Sequence, residues 1–449
     1  MSIERDGAEV VDLLQQLIRN SCVNDGTKAS GNEIKSVDLL DTYLAGSGCD
    51  VERFEPEPGR GSLIAKIEGS DPSAPSLMFM GHTDVVPVNP NGWRRDPFAG
   101  ELVDGFVWGR GAVDMLNETA SMAAAFKKLA LEGWRPKGTL TYLAVADEES
   151  LGTYGAGWLT EHEADAVKAD YVVTESGGFR MPLPSASGPK LPVMVGEKGA
   201  VWSNIRVRGT PGHGSMPFRT DNALVKAAEV VRRLSEYESE THITDIWRRF
   251  VESADLPPEM TAMLLDAKAV ADFVASTPDL GMARMVHACT HTSIAPTVLH
   301  GGTKTNVIPD VVDLQLDIRT LPGQTSDDVR LMLEDALGDL AGQIEITGIS
   351  NDDPSASPLD TPLWASIRRA TEALVPGSTT VPFILVGATD ARFFRRKGTV
   401  AYGAGIFSPK ISFADFASMF HGNNERIDIE SIELGTEFWG VVAKDMLGT

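Results

Sequence analysis

The chain has 449 residues, 42% hydrophobic and 23% charged, with a formal net charge of −23. That length allows two or more domains around a large core, and the balance is that of an ordinary globular protein. The acidic excess argues against nucleic acid and anionic membranes as partners, because phosphates need a basic surface.

In chain order, "EVVDLLQQLIR" and "NEIKSVDLLDTYLAG" carry apolar residues at helical spacing, and "GSLIAKIEG", "PSLMFMGH" and "LTYLAVADEE" read as strands. "NETASMAAAFKKLALEG" predicts a helix ending at Gly133, and "ADYVVTESGG" a short buried strand. Strands alternating with helices imply a layered α/β sheet. From about Glu197 the strands lengthen, with a helix at "DNALVKAAEVVRRLSEY" and a poorly patterned, helix-leaning stretch over residues 240–290. "TVLHGG", "VVDLQLDIRTLPG", "SDDVRLMLEDALGDL" and "QIEITGIS" complete an α+β unit, and "NDDPSASPLDTP" marks the return to the first pattern. The expected organisation is a discontinuous domain of residues 1–196 and 352–449, with an α+β domain inserted at 197–351.

No apolar run approaches the ~20 residues that cross a bilayer. The amino-terminal helix, read from Met1, lacks a signal-peptide core, so a cytoplasmic enzyme is expected. Cys22, Cys49 and Cys289 are scattered and form no CxxC, which suggests neither a disulfide framework nor a zinc ribbon.

The residues that bear chemistry sit after strand-like runs or in glycine turns. "SLMFMGHTDVV" ends on His82-Thr83-Asp84; side chains two apart on an extended backbone share a face, so His82 and Asp84 are expected side by side. Such a pair serves a metal, a nucleophile or a local hydrogen bond. "WGRGAVDM" adds Asp114, "ADEES" adds Glu148 and Glu149, "TESGG" adds Glu175, and "MFHGNNERI" adds His421. Ligands gather beyond the carboxyl ends of strands in α/β sheets, so these groups can converge. Converged acids repel one another and take up protons unless cations intervene. Two divalent ions roughly 3.5–4 Å apart remove that repulsion and activate water. Imidazole and carboxylate donors suit zinc, with cobalt or manganese compatible. The alternative from residues alone is a set of unrelated surface turns with acids at helix caps.

The ordered set "GHTDVVPV", "WRRDPFAGELVDGFVWGRGAVDM", "DEES", "TESGG", "GTPGHGSMP" and "HGNNERI" resembles the M20 metallopeptidase family over nearly the whole chain. The resemblance implies a mixed-sheet α/β catalytic domain of zinc-exopeptidase type with an inserted α+β lid and dimerisation domain, hence a homodimer. It implies that His82 and Glu175 hold one metal, Glu149 and His421 the other, and that Asp114 bridges both. Asp84 would fix the His82 imidazole, and Glu148 would be the general base for the metal-bound water. His213 would reach the partner's site to polarise the scissile carbonyl. Asn306, Arg319, Thr389, Asp390 and Arg392 resemble substrate contacts, Arg319 through a carboxylate fork. His162, His242, His287, His291 and His300 lie in no motif and are read as structural or surface.

The resemblance therefore implies a co-catalytic di-zinc amidohydrolase acting on small molecules or peptides beside a free carboxylate. Candidate substrates are N-acyl amino acids, dipeptides and carboxy-terminal residues. Glu175 tilts the reading to an acylase or carboxypeptidase, with a biosynthetic deacylase as the alternative and a non-catalytic metal-binding relative behind it. Two departures stand out: after Asp114 the run Met115-Leu116-Asn117-Glu118 stands where many relatives have Met-Lys-Gly-Gly, changing charge near the following helix, and Gly387-Ala388 replaces Gly-Gly.

Overall fold

The computed structural model describes residues 3–448, so Met1, Ser2 and Thr449 lie outside the described residues. One long sheet organises the larger unit. Its neighbouring strands run Asp50–Phe54, Ser62–Ile67, Leu140–Val145, Leu77–His82, Tyr171–Thr174, Val400–Gly403 and Lys190–Glu197. Thr379–Leu385 and Ser355–Ala356 both pair with Lys190–Glu197. The sheet is mixed: Leu77–His82 is parallel to both its neighbours, whereas Ser62–Ile67 is antiparallel to both of its own.

Helices cover this sheet on both faces, which explains why its central strands are apolar runs instead of alternating patterns. Leu77, Met78, Phe79 and Met80 are all fully buried, each contributing about 1.5–3 kcal/mol by leaving water. On one face Phe79 meets Trp439 of the helix Ile429–Leu447, with ring centroids 5.6 Å apart. Among the described residues no helix is long and apolar enough to cross a membrane.

A second, antiparallel sheet orders Ser293–Gly301, Val311–Thr320, Gly199–Arg208 and Ile344–Asp352. The helices Ala223–Glu236 and Ser326–Leu337 share a core with it through Val230, Leu333, Ile205 and Leu316. Thr325 and Asp328 form a capping box at the second helix, satisfying amides that would otherwise be orphaned.

The stretch without clear pattern folds as four helices, Asp245–Ser253, Pro258–Leu264, Ala267–Ser276 and Leu280–Thr290. They lie inside residues 197–351 by sequence, yet Trp247, Phe250, Val270 and Val286 join the core of the large sheet. Phe250 packs edge-on against Phe383 with centroids 4.9 Å apart. By packing, this stretch therefore belongs with the first unit, because its aromatic face covers the strand Thr379–Leu385.

Candidate metal centre

Three adjacent parallel strands bring the acids and the first histidine together. His82 ends Leu77–His82 opposite Val145, the last residue of Leu140–Val145, and Tyr171–Thr174 flanks the other side. Glu148 and Glu149 then open a short turn over Glu148–Ser150, and Glu175 follows Thr174 directly. The turn is bounded by two non-glycine residues with left-handed backbone, Asp147 (φ 69) and Leu151 (φ 75). It departs from an extended strand, so Glu148 and Glu149 need not point to opposite faces.

Asp114 and His421 arrive from loops joined by a small three-stranded sheet, Arg426–Asp428, Phe106–Trp108 and Glu101–Val103. The carboxylate of Glu425, fully buried, accepts the main-chain N–H groups of Gly111 (2.9 Å), Val113 (2.7 Å) and Asp114 (2.9 Å). It also receives Arg110 Nη1 at 2.9 Å. Glu425 thus moulds the loop that presents Asp114, a task the sequence reading missed. The available signal was its place in "HGNNERI", four residues past His421.

Two groups of three donors result, and Asp114 belongs to both. His82, Asp114 and Glu175 form one, and Asp114, Glu149 and His421 the other, with ligand atoms in each within 4.8 Å of one another. His82 Nε2 lies 3.3 Å from Asp114 Oδ1, 3.8 Å from Glu175 Oε1 and 4.0 Å from Glu148 Oε2. His421 Nε2 lies 3.0 Å from Asp114 Oδ2 and 3.1 Å from Glu149 Oε2. Metal–donor bonds of about 2.0–2.2 Å place neighbouring donors roughly 3–3.5 Å apart, so this spacing accommodates a cation in each group.

Two further observations test that fit. Nδ1 of His82 meets the Asp84 main-chain carbonyl at 2.9 Å, which assigns the proton there and turns the Nε2 lone pair toward the carboxylates. Glu149 Oε1 is buried without a hydrogen-bond partner. A lone pair facing carboxylates and a buried carboxylate oxygen without a hydrogen-bond donor fit divalent ions.

Protons are the alternative counter-charge. Burial lifts Glu148 and Glu175 well above the usual carboxylate range, and burial followed by Asp114 brings Glu149 up to about 7. Burial also pushes Asp114 up, but hydrogen bonding from His421 and His82 outweighs it and the net direction is down. Hydrogen bonds to Asp114 and Glu149 raise His421 to about 10.

Asp84 is placed differently from the expectation. Its carboxylate stands 3.7 Å from His82 Nδ1, so its backbone, not its side chain, orients the ring. The side chain instead accepts the N–H groups of Glu148 (3.2 Å) and Glu149 (3.1 Å) and Asn24 Nδ2 (2.9 Å). The strand ends at His82, which is why the shared-face argument fails two residues later. Asp84 is a clamp on the Glu148–Glu149 turn.

The remaining expected residues separate. His213 is exposed, its Nδ1 2.7 Å from Ser215 Oγ, and its strand Gly212–His213 pairs with Val307–Ile308. That pairing brings in Asn306, whose carbonyl accepts Gly214 N–H at 2.8 Å. Arg319 already engages Asp317, with Nε 2.7 Å from Oδ1. Thr389, Asp390 and Arg392 are buried. Arg392 donates to the carbonyls of Thr389 and Leu151 and forms an ion pair with Asp352, so its guanidinium is engaged inside the protein. Glu118, expected to alter local charge, is buried in the helix Leu116–Leu131; burial, then Asp114, lifts its carboxyl well above the usual range. Among the described residues, His162, His242, His287, His291 and His300 join neither donor group.

Strand ends supply His82, Glu148, Glu149 and Glu175 and loops supply Asp114 and His421, a mixed imidazole and carboxylate set of the kind metal-dependent hydrolases use. The sequence model of peptidase family M20/M25/M40 matches residues 78–445, and the chain belongs to that family. It is 29% identical over 390 residues to N-fatty-acyl-amino acid synthase/hydrolase PM20D1 of Xenopus tropicalis, covering 84% of this chain and 74% of that one. It is 27% identical over 387 residues to Aminoacylase-1B of Rattus norvegicus, covering 85% and 82%. The M20 family metallo-carboxypeptidase Sso-CP2 from Sulfolobus solfataricus shares its fold, with TM-score 0.71, 18% identity and 98% of each chain covered.

Proposed function

We propose that this protein hydrolyses the amide bond of N-acyl amino acids, a bond next to a free carboxylate, using two divalent cations, zinc in our reading. The observation that carries the proposal is the sharing of Asp114 by two three-donor groups with Glu148 at their edge, 4.0 Å from His82 Nε2. His82 and Glu175 would hold one cation and Glu149 and His421 the other, with Asp114 common to both groups. The cations supply a polarised water and a polarised carbonyl. Glu148 takes the proton from the attacking water and delivers it to the leaving amine. Asp84 keeps Glu148 in reach by gripping its amide.

The acyl preference draws on the activities for which the PM20D1 and aminoacylase relatives are named, together with the turn that follows His213. Met216 and Phe218 there are 69% and 81% exposed, an apolar surface beside a polar group that suits an acyl chain next to a carboxylate. Residues 197–351, less the helices packed on the large sheet, act as a lid and dimerisation unit that carries His213 to the partner's site. Asn306 and Arg319 contact substrate there. We place the enzyme in the cytoplasm, in keeping with three free cysteines.

The test is a panel of N-acyl amino acids of several chain lengths, dipeptides and an N-succinyl substrate, offered to zinc-loaded and chelated protein. Cleavage of N-acyl amino acids that chelation abolishes is the expected result. Cleavage of dipeptides alone would overturn the acylase reading, and metal-independent activity would overturn the dication reading.

A further inference from the structure

The short helix Ala391–Arg396 stands where the chain crosses between the two sheets. The outgoing crossing joins Lys190–Glu197 to Gly199–Arg208, and the return runs through Ile344–Asp352 to Ser355–Ala356. Three arginines of the helix hold these crossings. Arg395 Nη1 reaches Glu197 Oε1 at 2.9 Å, and Arg396 pairs with Asp352. Arg392 Nε meets Asp352 Oδ2 at 2.8 Å. Glu197 also accepts Thr389 N–H at 2.6 Å and Ser355 Oγ at 2.8 Å, so both crossings and the loop before the helix share one carboxylate.

Arg392 alone of the three extends to the metal centre. Its Nη2 donates to the Leu151 carbonyl at 2.9 Å. Leu151 is the left-handed residue whose own N–H closes the turn on the Glu148 carbonyl at 3.2 Å. A leucine in that conformation costs about 1–2 kcal/mol and persists only where its surroundings over-determine it. The next residue, Gly152, packs so closely that an added Cβ would lie 2.5 Å from Asp390 Oδ1 and 2.8 Å from Phe393. The turn bearing Glu148 is therefore seated on this helix and pinned by Arg392.

We infer that Arg392 is a positioning residue, a strut joining Asp352 at the crossing to Leu151 in the turn that carries the general base, so that the inserted unit's attachment sets where Glu148 stands. This rests on the reading of Glu148 as that base. A guanidinium can bridge because its nitrogens spread in a fixed plane, Nη2 donating to Leu151 while Nε faces Asp352 as an ion pair, whereas a lysine keeps the charge but reaches one end only. Arg392→Lys therefore separates bridging from electrostatics.

The experiment is a double-mutant cycle of Arg392→Lys and Asp352→Asn on the zinc-loaded enzyme, with kcat and KM measured on any substrate the panel finds. Hydrogen exchange of residues 148–152 is followed alongside. Each single variant is expected to lower kcat about 10- to 100-fold, with KM within about twofold and metal content unchanged. The double variant is expected to be no worse than the worse single, because both cut one strut. Exchange at 148–152 rises in all three, and Arg396→Gln, which does not touch the turn, leaves it alone. Multiplying losses, or unchanged exchange in Asp352→Asn, would overturn the strut. A rise in KM alone for Arg392→Lys would return Arg392 to the substrate. If wild-type protein cleaves nothing on the panel, the proposed function fails, while exchange still decides the strut.

Discussion

Glu425→Gln probes the loop that presents Asp114 without changing its size. The carboxylate accepts four hydrogen bonds, from Arg110 Nη1 and the main-chain amides of Gly111, Val113 and Asp114, at 2.7–2.9 Å. Glutamine keeps one oxygen, and its NH2 group faces the two donors that the other oxygen satisfied. Hydrogen bonds to a charged acceptor contribute about 1.5–3 kcal/mol each, so losing two predicts destabilisation of about 3–6 kcal/mol. Arg110 is left buried beside a neutral group, which adds to the cost. Because Asp114 N–H is among the donors, divalent-metal affinity should fall about 10- to 100-fold, as for other groups that orient ligands. Urea unfolding of the metal-free protein measures the first effect, and calorimetric zinc titration the second. Stability within about 1 kcal/mol of wild type together with unaltered zinc affinity would refute the reasoning. The pairing of Arg426–Asp428 with Phe106–Trp108 would then be sufficient to shape the loop.

Other outcomes follow from the same geometry. Glu148→Gln should retain both metals by elemental analysis and lose turnover by about 10²- to 10⁴-fold. His213→Ala should lower kcat about 10²- to 10³-fold with metal content intact, since it touches neither donor group; loss of metal would show it misplaced. Metal-free protein should become less stable as pH rises. Folding lifts Glu149 from 4.5 to about 7, so the folded chain holds a proton the unfolded chain has released, and stability falls across that window. His421, raised from 6.5 to about 10, acts in the same direction: its contribution is complete below 6.5 and fades toward 10. Zinc competes with those protons, so the Tm gain on adding it should grow between pH 5.5 and 8. A melting-temperature series that is flat with pH in chelator would contradict this.

Much of the catalytic sheet was legible because its strands are fully buried and therefore read as uninterrupted apolar runs ending at chemically unusual residues. "PSLMFMGH" falls on Leu77–His82, and "LTYLAVADEE" starts with Leu140–Val145 and runs on into the Glu148–Ser150 turn. The helices over residues 245–290 were hard to read for the converse reason. They are short, and the first of them, Asp245–Ser253, packs on the strand Thr379–Leu385, far along the chain, so nothing local reports which face is buried.

The sequence by itself determined the family, the mixed α/β class and a set of donors in recognisable local settings, because glycine turns and strand ends are encoded by neighbouring residues. Only the tertiary structure decided that His82, Asp114 and Glu175 and then Asp114, Glu149 and His421 stand within reach of one another. It also reassigned Asp84 to the Glu148–Glu149 turn, gave Glu425 the Asp114 loop and turned Arg392 inward. Each of those roles depends on hydrogen-bond partners tens to hundreds of positions apart, and distance in space between such partners is set by the packed sheet and not by any pattern along the chain.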